Sequence, residues 1–364
     1  MIQVFGSSVG QEEIDGAADS ISKSWMGMGP KVAEFEKRFS ERLGQPFLMT
    51  NNGSNALHLA IRALALKPCK IIVPSFTWAA CANAVMLEGH TPVFADSELD
   101  GNVSFRSIKD VYDKDVGAIM VVHYGGKPVP LEDIMHLGVP VIEDAAHAVD
   151  SKIGDKFCGS IADVGVFSFD PIKNLATPDA GGLTVRSQEV MDKLRTLRLC
   201  GVKLTGYVKA LAGGDWWKED VEGVFPKYIP NDVTAAIGLA QFEKLPRLQE
   251  RRRQIWEMYQ KAMREHVWIV TPPEPALGER HSYFTYLIRV INGTRDGLAR
   301  YLKRHDVYTT LRFWPLHYAS AYPKTRHEMP NCEMLAYQGL NLPLHPSMTD
   351  DDVGKVIDLI NRFL

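Results

Sequence analysis

A lysine follows a short apolar segment, at the point where a buried strand would end. Residues 164–169 read VGVFSF, which is typical of a buried strand. Asp170-Pro171 follows directly and indicates that the strand ends there. Lys173 comes two residues later. A lysine in a loop is usually a solvated residue. The position of Lys173 alone therefore leaves two alternatives open, a solvated loop residue and a reactive amine.

A carboxylate ends another apolar segment of the same region. Residues 139–144 read VPVIED, so Asp144 lies at the end of a predicted strand. An unpaired carboxylate is costly to bury, and Asp144 therefore needs a cationic or hydrogen-bond-donating partner. The protonated nitrogen of a pyridine ring is such a partner.

Three further features complete the pattern of one cofactor. The turn at Gly53-Ser54 runs into a helix start, whose backbone N–H groups suit a phosphate, and Ser168 would add a hydroxyl. Trp78 lies just beyond a strand end, where its indole can stack on a flat ring. A Schiff-base lysine, an acid for a ring nitrogen, a phosphate cradle and a stacking ring together predict pyridoxal phosphate.

The elements that would position these side chains alternate between strands and helices. We predict helices at 54–66 and 79–87, and strands at 71–74, 92–96, 118–122, 139–144, 164–169 and 182–185. This alternation predicts an α/β fold with a mostly parallel sheet flanked by helices. Ligands bind such sheets at the carboxyl ends of the strands, which is where the polar side chains fall.

Length and composition set the remaining bounds. The 364 residues predict a large cofactor-binding domain over 1–245 and a smaller α+β domain over 246–364. A basic run at 251–253 is expected to be a solvated helix face. The net charge of −3 favours neither nucleic acid nor an anionic membrane as a partner.

The same composition favours a cytoplasmic enzyme. No apolar run reaches the roughly 20 residues of a membrane helix, and the first residues lack the pattern of a signal peptide. The five cysteines are scattered without a CxxC pair, which predicts reduced thiols and no zinc site. We therefore expect no metal and a cytoplasmic location.

Over nearly its whole length the sequence resembles one enzyme family. The stretches that carry the resemblance, spread over residues 25–346, are WMGMGP followed by FE, then NGSNALH, VPSFTW, VIEDAAH, FSFDPIKN, AAIGLAQ, PLH and LPLHP. They resemble the DegT/DnrJ/EryC1/StrS sugar aminotransferases, and the block over residues 141–174 is highly specific. The resemblance implies a fold-type-I enzyme that uses pyridoxal phosphate.

The resemblance also implies a role for each matching residue. Lys173 would hold the cofactor and move the reacting proton, and Asp144 would pair with the pyridine nitrogen. Trp78 would take the place of the ring that stacks on the cofactor, and His147 a place near the 3-hydroxyl. The residues at phosphate-binding positions are Gly53, Ser54 and Ser168.

The family forms homodimers with active sites at the subunit interface, and here this sequence departs from the usual pattern. Lys227 stands where the family usually has an asparagine that reaches the partner's cofactor phosphate, and a lysine can bind phosphate as a point charge. PDAGG at 178–182 replaces the usual Gly-Glu-Gly-Gly, and Cys200 replaces a common histidine. Relatives that are dehydratases have histidine at the lysine position, and Lys173 argues against that activity.

The implied reaction transfers an amino group from L-glutamate to a keto sugar carried on a nucleotide diphosphate. A 4-keto-6-deoxy hexose is the favoured acceptor, and a 3-keto sugar is the alternative. Candidate acceptor contacts are the loop at 216–218 and the residues Arg312, Trp314 and His317. For His317 a structural role is equally open.

Two other kinds of protein fit the sequence less well than a sugar aminotransferase. A nicotinamide-dependent sugar oxidoreductase needs GxGxxG after its first strand, and GSSVG at residues 6–10 lacks that spacing. A non-catalytic sensor on the same fold is disfavoured because both Lys173 and Asp144 are present.

Overall fold

The computed structural model describes residues 1–203, 213, 215–218, 220–324 and 327–363. The strands, in chain order, are β1 (Phe47–Thr50), β2 (Lys70–Pro74), β3 (Thr91–Ala95), β4 (Val116–Val122), β5 (Val141–Asp144), β6 (Lys152–Ile153), β7 (Lys156–Phe157), β8 (Val164–Ser168), β9 (Gly181–Val185), β10 (Ile269–Val270), β11 (Glu279–Arg280), β12 (Tyr286–Val290) and β13 (Gly339–Leu342).

The helices flank these strands. In chain order they are α1 (Gln11–Ser22), α2 (Pro30–Leu43), α3 (Gly53–Ala63), α4 (Ala79–Leu87), α5 (Phe105–Lys109), α6 (Glu132–Met135), α7 (Gln188–Arg198), α8 (Asp232–Met263), α9 (Arg295–Arg304), α10 (Pro330–Gln338) and α11 (Asp350–Asn361). Within the described ranges, no helix is both long enough and apolar enough to cross a membrane.

A seven-stranded sheet forms the centre, with the order β1-β9-β8-β5-β4-β2-β3. The five strands from β8 to β3 in that order run parallel to one another. Parallel neighbours need a crossover connection, which α4 supplies between β2 and β3 and α6 supplies between β4 and β5. The α/β fold with a mostly parallel sheet is thereby confirmed.

The edge that carries β9 and β1 differs from the predicted series. β9 pairs antiparallel with β8, and β1 pairs antiparallel with β9. Only the loop at 169–180 joins β8 to β9, so the chain returns beside β8 in the opposite direction. The strand predicted at 182–185 is present as β9, its antiparallel direction was not predicted, and β1 was not predicted.

Local signals explain where the helix before the site begins. The Asn52 side chain accepts a hydrogen bond from the N–H of Asn55 at 2.8 Å and caps α3. The helix therefore begins at Gly53, directly at the end of the central sheet. Its buried face, Ala56 to Ile61, packs into the core under the sheet.

A second hydrophobic core forms around the C-terminal half of the chain. There β12 pairs antiparallel with β10 and β13, and α8, α9 and α11 pack against this small sheet. α8 continues as one helix through Pro246, so the predicted boundary between residues 245 and 246 falls inside it. The division into two domains stays a prediction.

The basic run in α8 is not a solvated face throughout. Arg252 is 1 % exposed, and its guanidinium donates to the carbonyls of Leu344 and Phe284 at 3.2 and 3.5 Å. Burial lowers its pKa to about 9. The expectation of a solvated helix face was therefore wrong for Arg252, because the face of α8 that carries this residue packs against the C-terminal core.

The first residues of the chain tie the two cores together. Ile2 N–H donates to the Asp306 carbonyl at 2.7 Å, and Leu344 N–H donates to the Val4 carbonyl at 3.1 Å. The Gln241 side chain donates to the Ser8 carbonyl at 2.9 Å. Residues 1–8, called the N-terminal segment below, are thereby held against α8 and the C-terminal core.

Candidate active site

One cavity opens at the carboxyl ends of the parallel strands, where the fold class predicts a ligand site. Its volume is about 540 Å³. The predicted site residues that line it are Gly53, Ser54, Trp78, Asp144, His147, Ser168, Lys173 and Arg312. The structure therefore brings eight predicted residues from five separate segments of the chain to one place.

Lys173 projects into this cavity from the loop that links β8 to β9. The loop turns sharply because Lys173 N–H donates to the Asp170 carbonyl at 2.9 Å. Burial lowers the pKa of the Lys173 amine to about 8, with Arg312 adding to the shift and Asp144 opposing it. Only an unprotonated amine is a nucleophile, so this shift makes Lys173 far more reactive near neutral pH than a solvated lysine. The alternative of a merely solvated loop residue is ruled out.

Asp144 ends β5 as a buried carboxylate, only 5 % exposed. Its Oδ1 accepts the N–H of Ala146 at 2.9 Å, and its Oδ2 accepts the thiol of Cys81 at 3.3 Å. Burial, together with the Asp144 charge, holds the pKa of the Cys81 thiol well above its usual range, so Cys81 stays a donor. The carboxylate is thus fixed from two sides and retains acceptor capacity toward the cavity.

His147 lies between aromatic rings on the cavity wall and stays neutral. Its ring stacks on Phe284 at 4.0 Å and lies 5.9 Å from the ring of Phe313, nearly parallel to both. Burial, reinforced by Lys173 and Arg312, holds the His147 pKa well below its usual range. Nδ1 faces the Gly125 N–H at 3.4 Å, which assigns the proton to Nε2.

The start of α3 and the end of β8 meet at one end of the cavity. A Cβ built on Gly53 would lie 2.8 Å from Ser168 Cβ and 2.9 Å from its Oγ, so only glycine permits this approach. The first N–H groups of a helix have no partner within it, which leaves those of Gly53 and Ser54 open to an anion. The Ser168 hydroxyl lies beside them.

Trp78 stands at the rim of the cavity directly before α4. Its side chain is 60 % exposed, and its ring lies 5.9 Å from the ring of Phe313 at an angle of 42°. A large aromatic surface left open beside a cavity is available for stacking on a flat group.

Arg312 brings a second cation to the cavity. Its backbone is fixed, because its N–H donates to Asn341 Oδ1 at 2.7 Å and its carbonyl accepts the Tyr124 hydroxyl. The guanidinium lies 4.3 Å above the ring of Phe5, and burial lowers its pKa. Among the described residues, no carboxylate forms an ion pair with this guanidinium, and Asp170 acts on it only through space.

Three predicted residues lie outside the cavity lining. Lys227 is exposed, and its backbone forms a bridge to Leu199. Trp314 is 56 % exposed and packs against Tyr318 with ring centroids 5.5 Å apart. His317 is half-buried beside Ser75, the residue that follows β2, and its Nδ1 lies 2.6 Å from the Ser75 hydroxyl. That contact favours the structural role that was left open for His317.

The loop at 216–218 adds no residue to the cavity either. Trp216 and Trp217 are both exposed and pack against each other with ring centroids 4.6 Å apart. Residues 204–212, 214 and 219, which surround them in the sequence, lie outside the described ranges.

Sequence reasoning missed several residues of the site. Asp170, Asp179, Ile172 and Phe313 line the cavity, and burial together with Asp170 raises the pKa of Asp179. Their signal was their nearness in sequence to Lys173 and Arg312. Phe5 and Phe284 carried no such signal, since both are apolar residues far from the motifs.

The residues present fit pyridoxal phosphate. The cavity supplies an amine of lowered pKa, an acceptor for a ring nitrogen, a neutral imidazole N–H and a cradle that only glycine allows. A large apolar wall of stacked rings completes the site. These are the groups that a phosphorylated pyridine aldehyde requires.

Comparison with known proteins identifies this set of groups. The sequence profile of the DegT/DnrJ/EryC1/StrS aminotransferase family matches residues 7–361. The chain belongs to this family. The match spans nearly the whole chain and includes every cavity-lining residue named above.

Individual members of the DegT/DnrJ/EryC1/StrS family are similar along their full length. A dTDP-4-dehydro-2,3,6-trideoxy-D-glucose 4-aminotransferase from Saccharopolyspora spinosa is 32% identical, over 98% of this chain and 95% of that protein. The spore coat polysaccharide biosynthesis protein SpsC from Bacillus subtilis is 33% identical, over 97% of this chain and 94% of that protein. The crystal structure of the aminotransferase TlmJ from Streptoalloteichus hindustanus superposes with a TM-score of 0.93 at 32% identity, covering 100% and 98% of the two chains.

These matches confirm three predictions. The family is the one that the sequence motifs indicated, the protein is an aminotransferase, and its cofactor is pyridoxal phosphate. The alternatives of an oxidoreductase and of a non-catalytic sensor were wrong. The individual roles of the site residues stay predictions.

Proposed function

We propose that the enzyme transfers the amino group of L-glutamate to a keto sugar linked to a nucleotide diphosphate. The observation that carries this proposal is the Lys173 amine of lowered pKa in one cavity with the buried Asp144 carboxylate. The Saccharopolyspora relative, a 4-aminotransferase of a dTDP-linked keto sugar, supports a 4-keto sugar as acceptor. The Bacillus relative, named for spore coat polysaccharide biosynthesis, supports an amino sugar destined for a glycan.

Arg312 supports glutamate as the donor. An amino acid must place its amine where the Lys173 amine lies, and its carboxylate must then lie within the same cavity. Arg312 is a cation of that cavity that no described carboxylate neutralises. A guanidinium binds a carboxylate through two parallel hydrogen bonds, so we assign the donor's carboxylate to Arg312.

Lys173 and Asp144 divide the proton chemistry between them. When bound, pyridoxal phosphate carries the amino group between the two substrates and delocalises the charge left on the donor carbon. Lys173 Nζ takes the proton from that carbon, and its pKa near 8 suits an amine that must both accept and release a proton. The Asp144 carboxylate would accept the N–H of the bound ring and so keep that nitrogen protonated.

The remaining side chains orient the ring. His147 Nε2–H would donate to the 3-hydroxyl oxygen, and because the imidazole stays neutral it adds no charge beside Lys173. Gly53, Ser54 and Ser168 would hold the phosphate, and Trp78 would cover one face of the ring. Phe313 lines the cavity beside Trp78, and Phe284 stacks behind His147, so these rings limit the access of water to that side of the cavity, which strengthens each polar contact there.

We further propose a homodimer in which Lys227 reaches the cofactor phosphate of the partner subunit. Lys227 is exposed and outside the cavity of its own chain, as such a role requires. Its neighbour Tyr228 accepts the Asn51 N–H at 3.2 Å, which places this segment beside the start of α3. Two-fold symmetry would then bring each such segment toward the other subunit's cradle.

The five cysteines support a cytoplasmic location. All of them are free thiols, three of them buried. Free thiols are typical of a reducing compartment.

The proposed function is tested with the purified enzyme, pyridoxal phosphate and L-glutamate. Each of a panel of nucleotide-linked 4-keto and 3-keto sugars is added, and products are read by mass spectrometry and their amination position by NMR. We expect conversion of a 4-keto-6-deoxy sugar to its 4-amino product. Amination of 3-keto sugars alone would replace the acceptor, and 2-oxoglutarate release without any aminated sugar would refute the sugar assignment.

A further inference from the structure

The two cations of the cavity lie against one pair of stacked rings. Phe5 and Phe284 stack with ring centroids 5.2 Å apart and planes 13° from parallel. The Arg312 guanidinium carbon lies 4.3 Å from the centroid of Phe5, and Lys173 Nζ lies 5.0 Å from the centroid of Phe284. The face of an aromatic ring attracts a cation at this range, so each ring favours one position of its cation.

This pair of rings is in contact with a residue that lines the cavity. Phe284 also stacks on His147 at 4.0 Å, so the Phe5 ring is the outer member of a column that ends at the cavity. Phe284 is fully buried, and Phe5 is 8 % exposed. Rings packed in this way have little freedom to shift, and they restrict the positions of the Arg312 guanidinium and the Lys173 amine that contact them.

The backbone around Phe5 is as well fixed as its ring. Leu344 N–H donates to the Val4 carbonyl, and Tyr308 N–H donates to the Ile2 carbonyl at 2.9 Å. A Cβ at Gly6 would lie 3.0 Å from Nδ1 of His345, so the chain passes close to the C-terminal core there. The N-terminal segment is therefore part of the packed structure rather than a free tail.

We propose that Phe5 is a positioning residue for the amino donor. With Phe284 it holds the Arg312 guanidinium at a set spacing from the Lys173 amine, so that an α-amino acid bound with its carboxylate on Arg312 presents its amine at the reacting position. The proposal rests on the proposed function, in which Arg312 binds the donor's carboxylate. It adds that the N-terminal segment helps to position the amino donor, through a residue that does not itself line the cavity.

The chemistry of the two substrates makes this proposal separable from general packing. The donor carries a carboxylate, and the acceptor reacts at a neutral keto carbon of a sugar ring. In this proposal the Arg312 guanidinium contacts the donor's carboxylate and not the acceptor's diphosphate, so weaker placement of Arg312 impairs the half-reaction with glutamate and leaves the half-reaction with the keto sugar unchanged. A general loss of packing would impair both half-reactions.

The test uses the holoenzyme and measures the two half-reactions separately. Phe5→Leu removes the ring but keeps an apolar side chain, Phe5→Tyr keeps the ring, and Val4→Ala is the matched control in the same segment. We expect Phe5→Leu to raise the glutamate concentration for half-maximal rate about fivefold or more. We expect Phe5→Tyr and Val4→Ala to leave it within twofold of wild type.

A binding measurement supplies a readout that is independent of turnover. Calorimetric titration of each holoenzyme with 2-oxoglutarate, which carries the carboxylate but no amine, should show the same loss for Phe5→Leu. If Phe5→Leu does not fold, as judged from its melting curve, Phe5→Met takes its place. In the Arg312→Gln background the substitution at Phe5 should have no further effect on either measurement.

Three outcomes would overturn the proposal. Equal losses in both half-reactions would show a packing role or a group shared by both substrates, such as the diphosphate. A Phe5→Leu effect that persists in Arg312→Gln would show that Phe5 does not act through Arg312. An unchanged glutamate requirement in Phe5→Leu would show that the ring does not place the guanidinium. If Arg312→Gln itself leaves that requirement unchanged, the assignment of the donor carboxylate fails instead.

Discussion

Replacing Asp144 by asparagine is the perturbation whose size the structure constrains best. The substitution keeps the shape of a side chain that is 5 % exposed, and the amide oxygen can still accept the Ala146 N–H at 2.9 Å. The amide nitrogen then occupies the place of Oδ2. That group is a donor, so it can accept neither the Cys81 thiol nor the N–H of a protonated ring. The variant therefore loses the negative charge of the site with little change in packing.

The loss can be put on an energy scale. Removing one group that stabilises the charge developing in a transition state lowers the rate by about 10²–10³-fold. At 1.36 kcal/mol for each factor of ten, this corresponds to about 2.7–4 kcal/mol of activation barrier. Because the Asp144 charge raises the pKa of Lys173, its removal should also lower that pKa below about 8.

The assay follows the visible absorbance of the bound cofactor after rapid mixing of Asp144→Asn with glutamate. Retention of the cofactor with a rate at least a hundredfold below wild type is expected. Asp179→Asn is the matched control, because it makes the same chemical change at a second carboxylate of the same cavity, to which no role toward the ring nitrogen is assigned. A rate above about a tenth of wild type, a change below roughly 1.4 kcal/mol, would refute the role of Asp144.

Three further predictions concern single residues. The rate at which cofactor-free protein captures pyridoxal phosphate should rise with pH around a midpoint of about 8, because the free Lys173 amine is the nucleophile; a midpoint above 10 would contradict the lowered pKa. Cys81→Ala should shift the pH titration of the cofactor's visible absorbance, since Asp144 Oδ2 loses its donor, and Cys81→Ser should restore it; identical titrations would leave Cys81 a packing residue. Lys227→Ala should weaken cofactor affinity without changing the melting temperature of cofactor-free protein. Equal cofactor affinities of Lys227→Ala and wild type would refute the contact with the phosphate. A monomer in sedimentation at micromolar concentration would refute the shared site.

The sequence predicted the strand ends better than the edges of the sheet. α4 was predicted with its observed bounds, and the four parallel strands that carry site residues were found within about two residues, since buried apolar segments leave a strong signal. β1 was missed because FLMT is short and has no alternation. The direction of β9 depends on the absence of a crossover helix, which is a property of the loop at 169–180 and not of β9 itself.

Site residues with reactive side chains were predictable, and those that act through packing were not. Lys173 and Asp144 stand out because a charge beside an apolar run needs an explanation. Phe5 gives no such signal, since a phenylalanine near the N-terminus is ordinary in sequence and only the fold stacks it on Phe284. Arg252 is a second example. The sequence contains three adjacent arginines at 251–253, and nothing in it indicates which of them α8 buries.

In the proposed reaction, nitrogen passes from glutamate to a nucleotide-linked keto sugar at Lys173. The most direct measurement supplies wild-type enzyme and Lys173→Ala with ¹⁵N-labelled L-glutamate and a nucleotide-linked 4-keto-6-deoxy sugar, and reads the label in the sugar product by mass spectrometry. We expect ¹⁵N in the amino sugar from wild type and no amino sugar from a folded Lys173→Ala. An aminated sugar without the label, or equal labelling by the two proteins, would contradict the account.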